Sequence, residues 1–287
     1  MATKLMKAGF ACRLFAKVLG VYWSFFFRNH KPRRLTAPEK TDKPRNIVIV
    51  GASFAGYHAA RIIALDLPPD SPYRVVVIEP NSHFNFTWVL PRLCVVEGGH
   101  EHKAFIPYGP HLGGAPVEWV RDRVVEVGRE SVRLGGGEEI PYEFLILATG
   151  SGAADALPSR VGATDKVEGT RLLRGMQQKI KSAERLLFIG GGAVGVEIAA
   201  DAKSLYPEKS VTLVHSRDGV MHRFGPELQA EALKGLQKLG VEVILSDRLA
   251  EEDEAKGVAT LKSGKTVAYD CLVRIGTIHN PPWKKVD

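Results

Sequence analysis

Cysteine is scarce in this chain of 287 residues, with only Cys12, Cys94 and Cys271, far apart. Three such residues exclude a disulfide framework and a structural zinc site, and they suit a reducing compartment. Acid is missing at the start, where no Asp or Glu precedes Glu39. A long apolar run is missing too. The segment Val18 to Phe27 is too short for a clean membrane span, and extending it back to Ala8 takes in Arg13 and Lys17. Finally, the body of the chain lacks excess positive charge. Residues 1–46 hold eleven Lys and Arg against Glu39 and Asp42, a net +9, so an overall charge of +7 leaves −2 for residues 47–287. That near-neutral body offers no basic face for nucleic acid.

What the start does contain is a basic, apolar leader over residues 1–45. Lys4, Lys7, Arg13 and Lys17 alternate with apolar positions, and Arg28, Lys31, Arg33 and Arg34 follow the aromatic run. Residues 8–34 are expected to contact a membrane surface, either lying in the interface or as a hairpin-like anchor. A mitochondrial presequence and a disordered tail are the alternatives. The expected location is intracellular, cytoplasmic or mitochondrial, and membrane-associated. Lys31 to Arg45, rich in proline and charge, reads as a linker.

Beyond the leader stand two glycine-rich fingerprints. The first is Gly51, Ala52, Ser53, Phe54, Ala55 and Gly56; the second runs from Gly190 through Gly192 to Gly195. Each lies between a β-branched run and a helix-like segment. In that context glycine permits the tight turn and the close approach of backbone to a pyrophosphate, while the helix N-terminus offers N–H groups to the anion. Around the first, Asn46 to Val50 reads as a buried strand, Tyr57 to Leu67 as a helix stopped by Pro68-Pro69, and Arg74 to Glu79 as the next strand. Glu79 falls 23 residues after Gly56, where a carboxylate accepts hydrogen bonds from an adenosine ribose. Ser53 replaces the middle glycine, so its side chain must avoid the pyrophosphate or bond to it.

The first half continues, and the second half repeats its plan. Val117 to Ile140 reads as an antiparallel meander and Tyr142 to Gly150 as a buried strand ending in a turn. Arg185 to Ile189, Val211 to Val214, a second meander over Val241 to Leu245 and Val258 to Ala268, and Tyr269 to Gly276 echo the first half. The expected fold is α/β: two Rossmann-like dinucleotide-binding units with parallel sheets and antiparallel β-meanders, the first unit incomplete. The expected division is 46–160 for the first unit and 161–287 for the second.

Taken with these motifs, Phe84 to Arg92, Lys103 to Tyr108, Phe144 to Gly150, Gly190 to Glu197 and Tyr206 to Ser216 resemble a known family. It is the two-dinucleotide flavoproteins of the pyridine nucleotide-disulfide oxidoreductase superfamily. Within it the likeness is to the apoptosis-inducing-factor-like, ferroptosis-suppressor-type branch, near the type II NADH:quinone dehydrogenases. It runs from about Pro44 to Asn280. The resemblance implies FAD in the first unit, NADH or NADPH in the second, and flavin-mediated electron transfer to a quinone or other small lipophilic acceptor. It assigns the FAD pyrophosphate to the first fingerprint, its ribose to Glu79, a place near the flavin cofactor to Arg92, the adenine to the Val124 backbone, and a close turn to Thr149 and Gly150. It assigns the nicotinamide cofactor's pyrophosphate to Gly190, Gly192 and Gly195. Glu197 matches a carboxylate where nicotinamide meets isoalloxazine, and is the candidate catalytic residue.

The chain departs from that family in three places. The cysteine pair of its disulfide reductases is absent; Cys94 alone lies in that region, as a buried hydrophobe or as the lone thiol of a single-cysteine disulfide or peroxide reductase. At the second ribose position, 20 residues after Gly195, stands His215, followed by Ser216 and Arg217. With no carboxylate there to repel a 2′-phosphate, and Arg217 or Arg223 able to pair with it, NADPH is expected to serve at least as well as NADH. His83, His100, His102 and His111 lack ligand spacing and are expected at the surface, with no metal. Third, the chain ends soon after Gly276 to Asn280, with His279 where the family has proline and without the Gly-Asp segment that closes the flavin domain. It is therefore expected to be truncated, with apolar edges left open on the first sheet. The expected function is FAD-dependent NAD(P)H oxidation; the alternative is a degenerate, non-catalytic nucleotide-binding homologue.

Overall fold

A computed structural model describes residues 15–20, 23, 45–108, 117–150, 152–153, 157–275, 278–279 and 284–285. Most of the leader, and with it Cys12, His111, Gly276 and Asn280, lies outside the described residues. Residues 15–20 are helical, with Phe15, Val18 and Leu19 exposed. No helix among the described residues is long and apolar enough to cross a membrane.

Two four-stranded parallel sheets repeat one topology. In the first, β1 (Arg45–Val50), β2 (Tyr73–Ile78), β3 (Val117–Val120) and β4 (Phe144–Leu147) are ordered β3-β2-β1-β4. In the second, β5 (Arg185–Ile189), β6 (Ser210–Val214), β7 (Glu242–Ile244) and β8 (Cys271–Arg274) are ordered β7-β6-β5-β8. The inner strands read as continuous apolar runs because helices or β-layers cover both of their faces; Ile47 to Val50 are all buried.

The sheets differ from the sequence reading at their edges. Val117–Val120 and Glu242–Ile244 pair in parallel with β2 and β6 rather than opening the meanders. Each is an outer strand, partly solvated, so its short polar and apolar mixture imitates antiparallel alternation. The antiparallel meanders proper are Val124–Val127, Ser131–Leu134 and Glu139–Pro141 in the first half, and Leu249–Asp253, Val258–Leu261 and Thr266–Ala268 in the second.

Helices α1 (Phe54–Asp66), α2 (Lys166–Ser182), α3 (Ala193–Leu205) and α4 (Pro226–Leu239) complete the units. On α1, Gly56, Ala60 and Ala64 recur every four residues and are buried, so small side chains bring the helix close to β1 and β2. Leu67 then turns extended, as the residue before a proline must. Asp165 caps α2 by accepting from Val167 N–H at 2.8 Å, and Gly240 closes α4 in the left-handed region with φ 86°.

The largest apolar core joins the two halves. Leu90, Cys94, Val95, Ala104 and Phe105 from the irregular stretch after β2 pack with Leu173 and Ile180 of α2 and Ile198 and Ala199 of α3. This places the helical turn Leu90–Leu93 beside α3 and sets the second unit against the first. The echoing strands β4 and β8 are buried differently: Phe144 and Leu147 of β4 are 53% and 44% exposed, whereas Cys271 and Val273 of β8 are 8% and 2% exposed.

Candidate functional site

Both fingerprints fold by the same contacts. Gly51 and Gly190 have φ of 94° and 121°, a region that favours glycine, and a Cβ on them would lie 2.5 Å from the Ala148 carbonyl oxygen and 2.8 Å from that of Ile275. Gly56 and Gly195 lie so close to the carbonyls of Gly51 and Gly190 that a Cβ there would overlap them. Gly51 N–H donates to Ile78 O at 2.9 Å and Gly190 N–H to Val214 O at 2.8 Å, which seats each turn at the end of its strand pair. The middle position is not constrained in this way. Ser53 has φ −79° and ψ −158°, Gly192 has φ −73° and ψ −174°, and space is open around a Cβ on Gly192. Serine thus fits the first motif without strain, and its hydroxyl makes no capping bond to α1.

A cleft of about 330 Å³ opens at the C-terminal ends of the first sheet. Gly51, Ser53, Glu79, Val124 and Thr149 line it together, although they come from four separate stretches of chain. Ala52 is wholly buried beneath. Glu79, 7% exposed, accepts Ala52 N–H on Oε2 at 2.7 Å, and on Oε1 accepts the N–H and the side-chain amide of Asn81 at 2.9 and 2.7 Å. Phe54, Ala55 and Gly56 begin α1, whose first N–H groups have no carbonyl within the helix and are free for an anion. Gly150 is left-handed, with φ 67°, at the turn after β4.

Sequence reasoning missed several lining residues. Asn81 holds Glu79; Arg123, Arg160 and Thr164 bring two cations and a hydroxyl to the wall. The last two arrive because Ser82 N–H donates to Thr164 O at 2.9 Å, folding the connection before α2 over the cleft. No motif spacing signals this, since the contact joins two irregular segments.

Arg92 does not line the cleft. It reaches across to α3, where its Nη1 donates to Asp201 Oδ1 at 2.7 Å. Glu197, one turn earlier on α3, is exposed at this second cluster. Partial burial raises its carboxyl above the usual range, as does the charge of Asp201, while Arg92 pulls it down. Burial raises Asp201 likewise, against the opposing pull of Arg92. The three side chains thus cluster on the face where the two units meet, two carboxyls with one guanidinium bonded to Asp201.

Cys94 is fully buried in the shared core, and burial pushes its thiol up to about 12, so no thiolate forms near neutral pH. His100 and His102 are exposed, as expected, but His83 is not: it is 2% exposed beneath Phe105, with Nδ1 2.7 Å from Ser82 Oγ. The strand pair Phe84–Asn85 and Phe105–Ile106 folds over it. Among the described residues no three His, Cys, Asp or Glu converge as a metal site.

In the second unit His215 sits at the end of β6, 7% exposed, with its Nδ1 3.1 Å from Gly191 N–H. Arg217 and Arg223 are exposed on the segment that follows. The paired glycine turns, the helix N-termini and the polar groups at both strand ends fit one dinucleotide in each unit.

The comparisons with known proteins agree with this geometry. The family model for pyridine nucleotide-disulphide oxidoreductases matches residues 45–286, and the chain belongs to that family. Fe-regulated protein 8 of Mycosarcoma maydis is 35% identical over 257 residues, which cover 80% of this chain and 63% of that protein. Ferroptosis suppressor protein 1 of Homo sapiens is 32% identical over 73% of this chain and 54% of its own. Among solved structures, NDH2 of Plasmodium falciparum in complex with NADH shares the fold with a TM-score of 0.62 at 15% identity, over 84% of this chain and 56% of that one. The chain therefore spans between about half and two thirds of the length of these relatives. Membership assigns FAD and NAD(P)H as its cofactors.

Proposed function

We propose that this member of the pyridine nucleotide-disulphide oxidoreductase family is the two-nucleotide core of a flavoprotein that oxidises NAD(P)H and reduces a small lipophilic acceptor of the quinone type. The observation that carries the reading is the duplication of one turn geometry, down to the carbonyl contacts of Gly51 and Gly190, at the ends of two parallel sheets of the same topology. In this reading FAD occupies the cleft at Gly51 to Gly56, with its ribose on Glu79, and the nicotinamide dinucleotide lies over Gly190 to Gly195. Bound flavin supplies the hydride acceptor and then the electron donor.

The chain's own groups bind, orient and tune charge. The N-terminal N–H groups of α1 and α3 receive pyrophosphate, and Arg123 and Arg160 add positive charge at the first site. Glu197, with its carboxyl raised, is a proton-holding group at the meeting face of the units, and Arg92 holds Asp201 beside it. For the acceptor, Phe54 and Trp88 are stacked with centroids 4.8 Å apart and are 38% and 71% exposed at the start of α1. A planar quinone ring fits such a surface. The exposed apolar residues Phe15, Val18 and Leu19 support attachment of residues 8–34 to a membrane surface, and flotation with anionic vesicles, lost on deletion of residues 1–44, tests it.

The deciding measurement is the visible spectrum of the purified chain, recorded before and after anaerobic NADH or NADPH. Oxidised flavin absorption that bleaches with either donor supports an oxidoreductase. A colourless protein that retains no flavin absorption after incubation with FAD and desalting refutes it and leaves the degenerate, non-catalytic homologue.

A further inference from the structure

Corresponding ends of β2 and β6 carry different chemistry. Glu79 receives the N–H of Ala52, the residue after Gly51; His215 receives the N–H of Gly191, the residue after Gly190. His215 is therefore the structural counterpart of the ribose carboxylate. Because its Nδ1 lone pair accepts from Gly191, the neutral ring carries its proton on Nε2. That nitrogen is buried and has no hydrogen-bond partner. A donor withdrawn from water and left unpaired costs free energy until a ligand oxygen arrives.

The surroundings hold the ring in this state. A Cβ on Gly191 would lie 2.9 Å from the His215 side chain, so the imidazole rests directly on the fingerprint. The Gly191 carbonyl accepts Met221 N–H at 2.7 Å, folding the segment after β6 back over the turn, with Met221 itself left-handed at φ 52°. This brings the His222 ring within 5.5 Å of His215. Burial holds the His215 imidazole below its usual range, and the charges of His222 and Arg217 lower it further.

We propose that His215 determines cofactor specificity in the second unit: its Nε2–H donates to an oxygen of a 2′-phosphate, so the site prefers the phosphorylated adenine dinucleotide. The inference rests on the reading of Gly190 to Gly195 as the nicotinamide cofactor site. A carboxylate here accepts from the ribose hydroxyls and repels a phosphate; a neutral donor flanked by Arg217 and His222 does the reverse.

The test is calorimetric titration of the full chain with adenosine 2′,5′-bisphosphate and with adenosine 5′-monophosphate, for the native protein, His215→Gln and His215→Glu. Glutamine can accept Gly191 N–H through Oε1 and donate through Nε2, whereas glutamate has the same shape and only accepts. Native protein should bind the bisphosphate about tenfold or more tightly than the monophosphate, the strength of a charge-assisted bond. His215→Gln should keep that preference within about threefold, and His215→Glu should abolish or invert it. If native protein binds both nucleotides equally, His215 does not select and the two-nucleotide reading stands. Retention of the preference in His215→Glu also overturns the proposal. Binding of neither fragment, nor of NADH or NADPH, overturns the reading of the second unit and the proposal with it. If one variant fails to fold, the other still tests the proposal: loss of the preference in His215→Gln, or its retention in His215→Glu, overturns it.

Discussion

Substituting Glu79→Ala separates what this carboxylate does for the fold from what it does for a cofactor. In the structure Oε2 accepts the N–H of the fully buried Ala52, and Oε1 holds both the backbone and the side-chain amide of Asn81. Alanine leaves the Ala52 donor unpaired. A buried donor stranded beside a lost charged acceptor costs about 1.5–3 kcal/mol, which for a body of this size lowers Tm by about 4–10 °C. With FAD on this site, the variant also loses charge-assisted bonds to the ribose, another 1.5–3 kcal/mol or so, and Kd rises about 10- to 100-fold. Thermal denaturation of apo protein reads the first effect, and titration of FAD, followed by quenching of its fluorescence, reads the second. Glu79→Gln, which keeps the shape and one acceptor for Ala52 N–H, should recover most of the stability but only part of the affinity. An unchanged Kd for FAD alongside a lowered Tm refutes the assignment of the ribose to Glu79.

Three further outcomes are expected. Arg217→Glu should weaken NADPH by about tenfold or more through lost pairing and new repulsion, with NADH nearly unchanged; equal losses, or none, show that the arginine points elsewhere. Because burial and Asp201 raise the Glu197 carboxyl in the folded state, its proton is bound more tightly there than in the unfolded chain. Its contribution to stability is thus present at low pH and is lost as pH rises from the ordinary carboxylate range, about 4, through the folded value. Glu197→Gln should remove that loss, so its Tm advantage over the native protein should grow between about pH 4 and pH 7; a difference constant with pH refutes the shift. Cys94, buried and with its thiol at about 12, should be alkylated by iodoacetamide only on unfolding, and Cys94→Ala should retain NAD(P)H oxidation. Rapid labelling of the native chain, read by mass spectrometry, would restore the lone-thiol reductase.

The sequence by itself determined the local units: strand, glycine turn, helix, strand and terminal acid. These follow from periodicity and from backbone geometry that only glycine meets at Gly51, Gly56, Gly190 and Gly195. It also favoured Cys94 as a small buried hydrophobe over a lone redox thiol, because Leu93, Val95 and Val96 give it apolar neighbours, and its burial in the core agrees. Edge strands were another matter. Val117–Val120 is half-solvated, and its short pattern cannot distinguish the rim of a parallel sheet from a meander. Everything set by contacts between distant segments waited for tertiary structure: Thr164 folding over the first cleft, Arg92 reaching Asp201 instead of lining it, and His83 lying beneath Phe105. The same holds for His215. Its place in the sequence identified the missing carboxylate, but only the Gly191 N–H at 3.1 Å decided which ring nitrogen is left to donate, because a tautomer is chosen by the partner the other nitrogen meets.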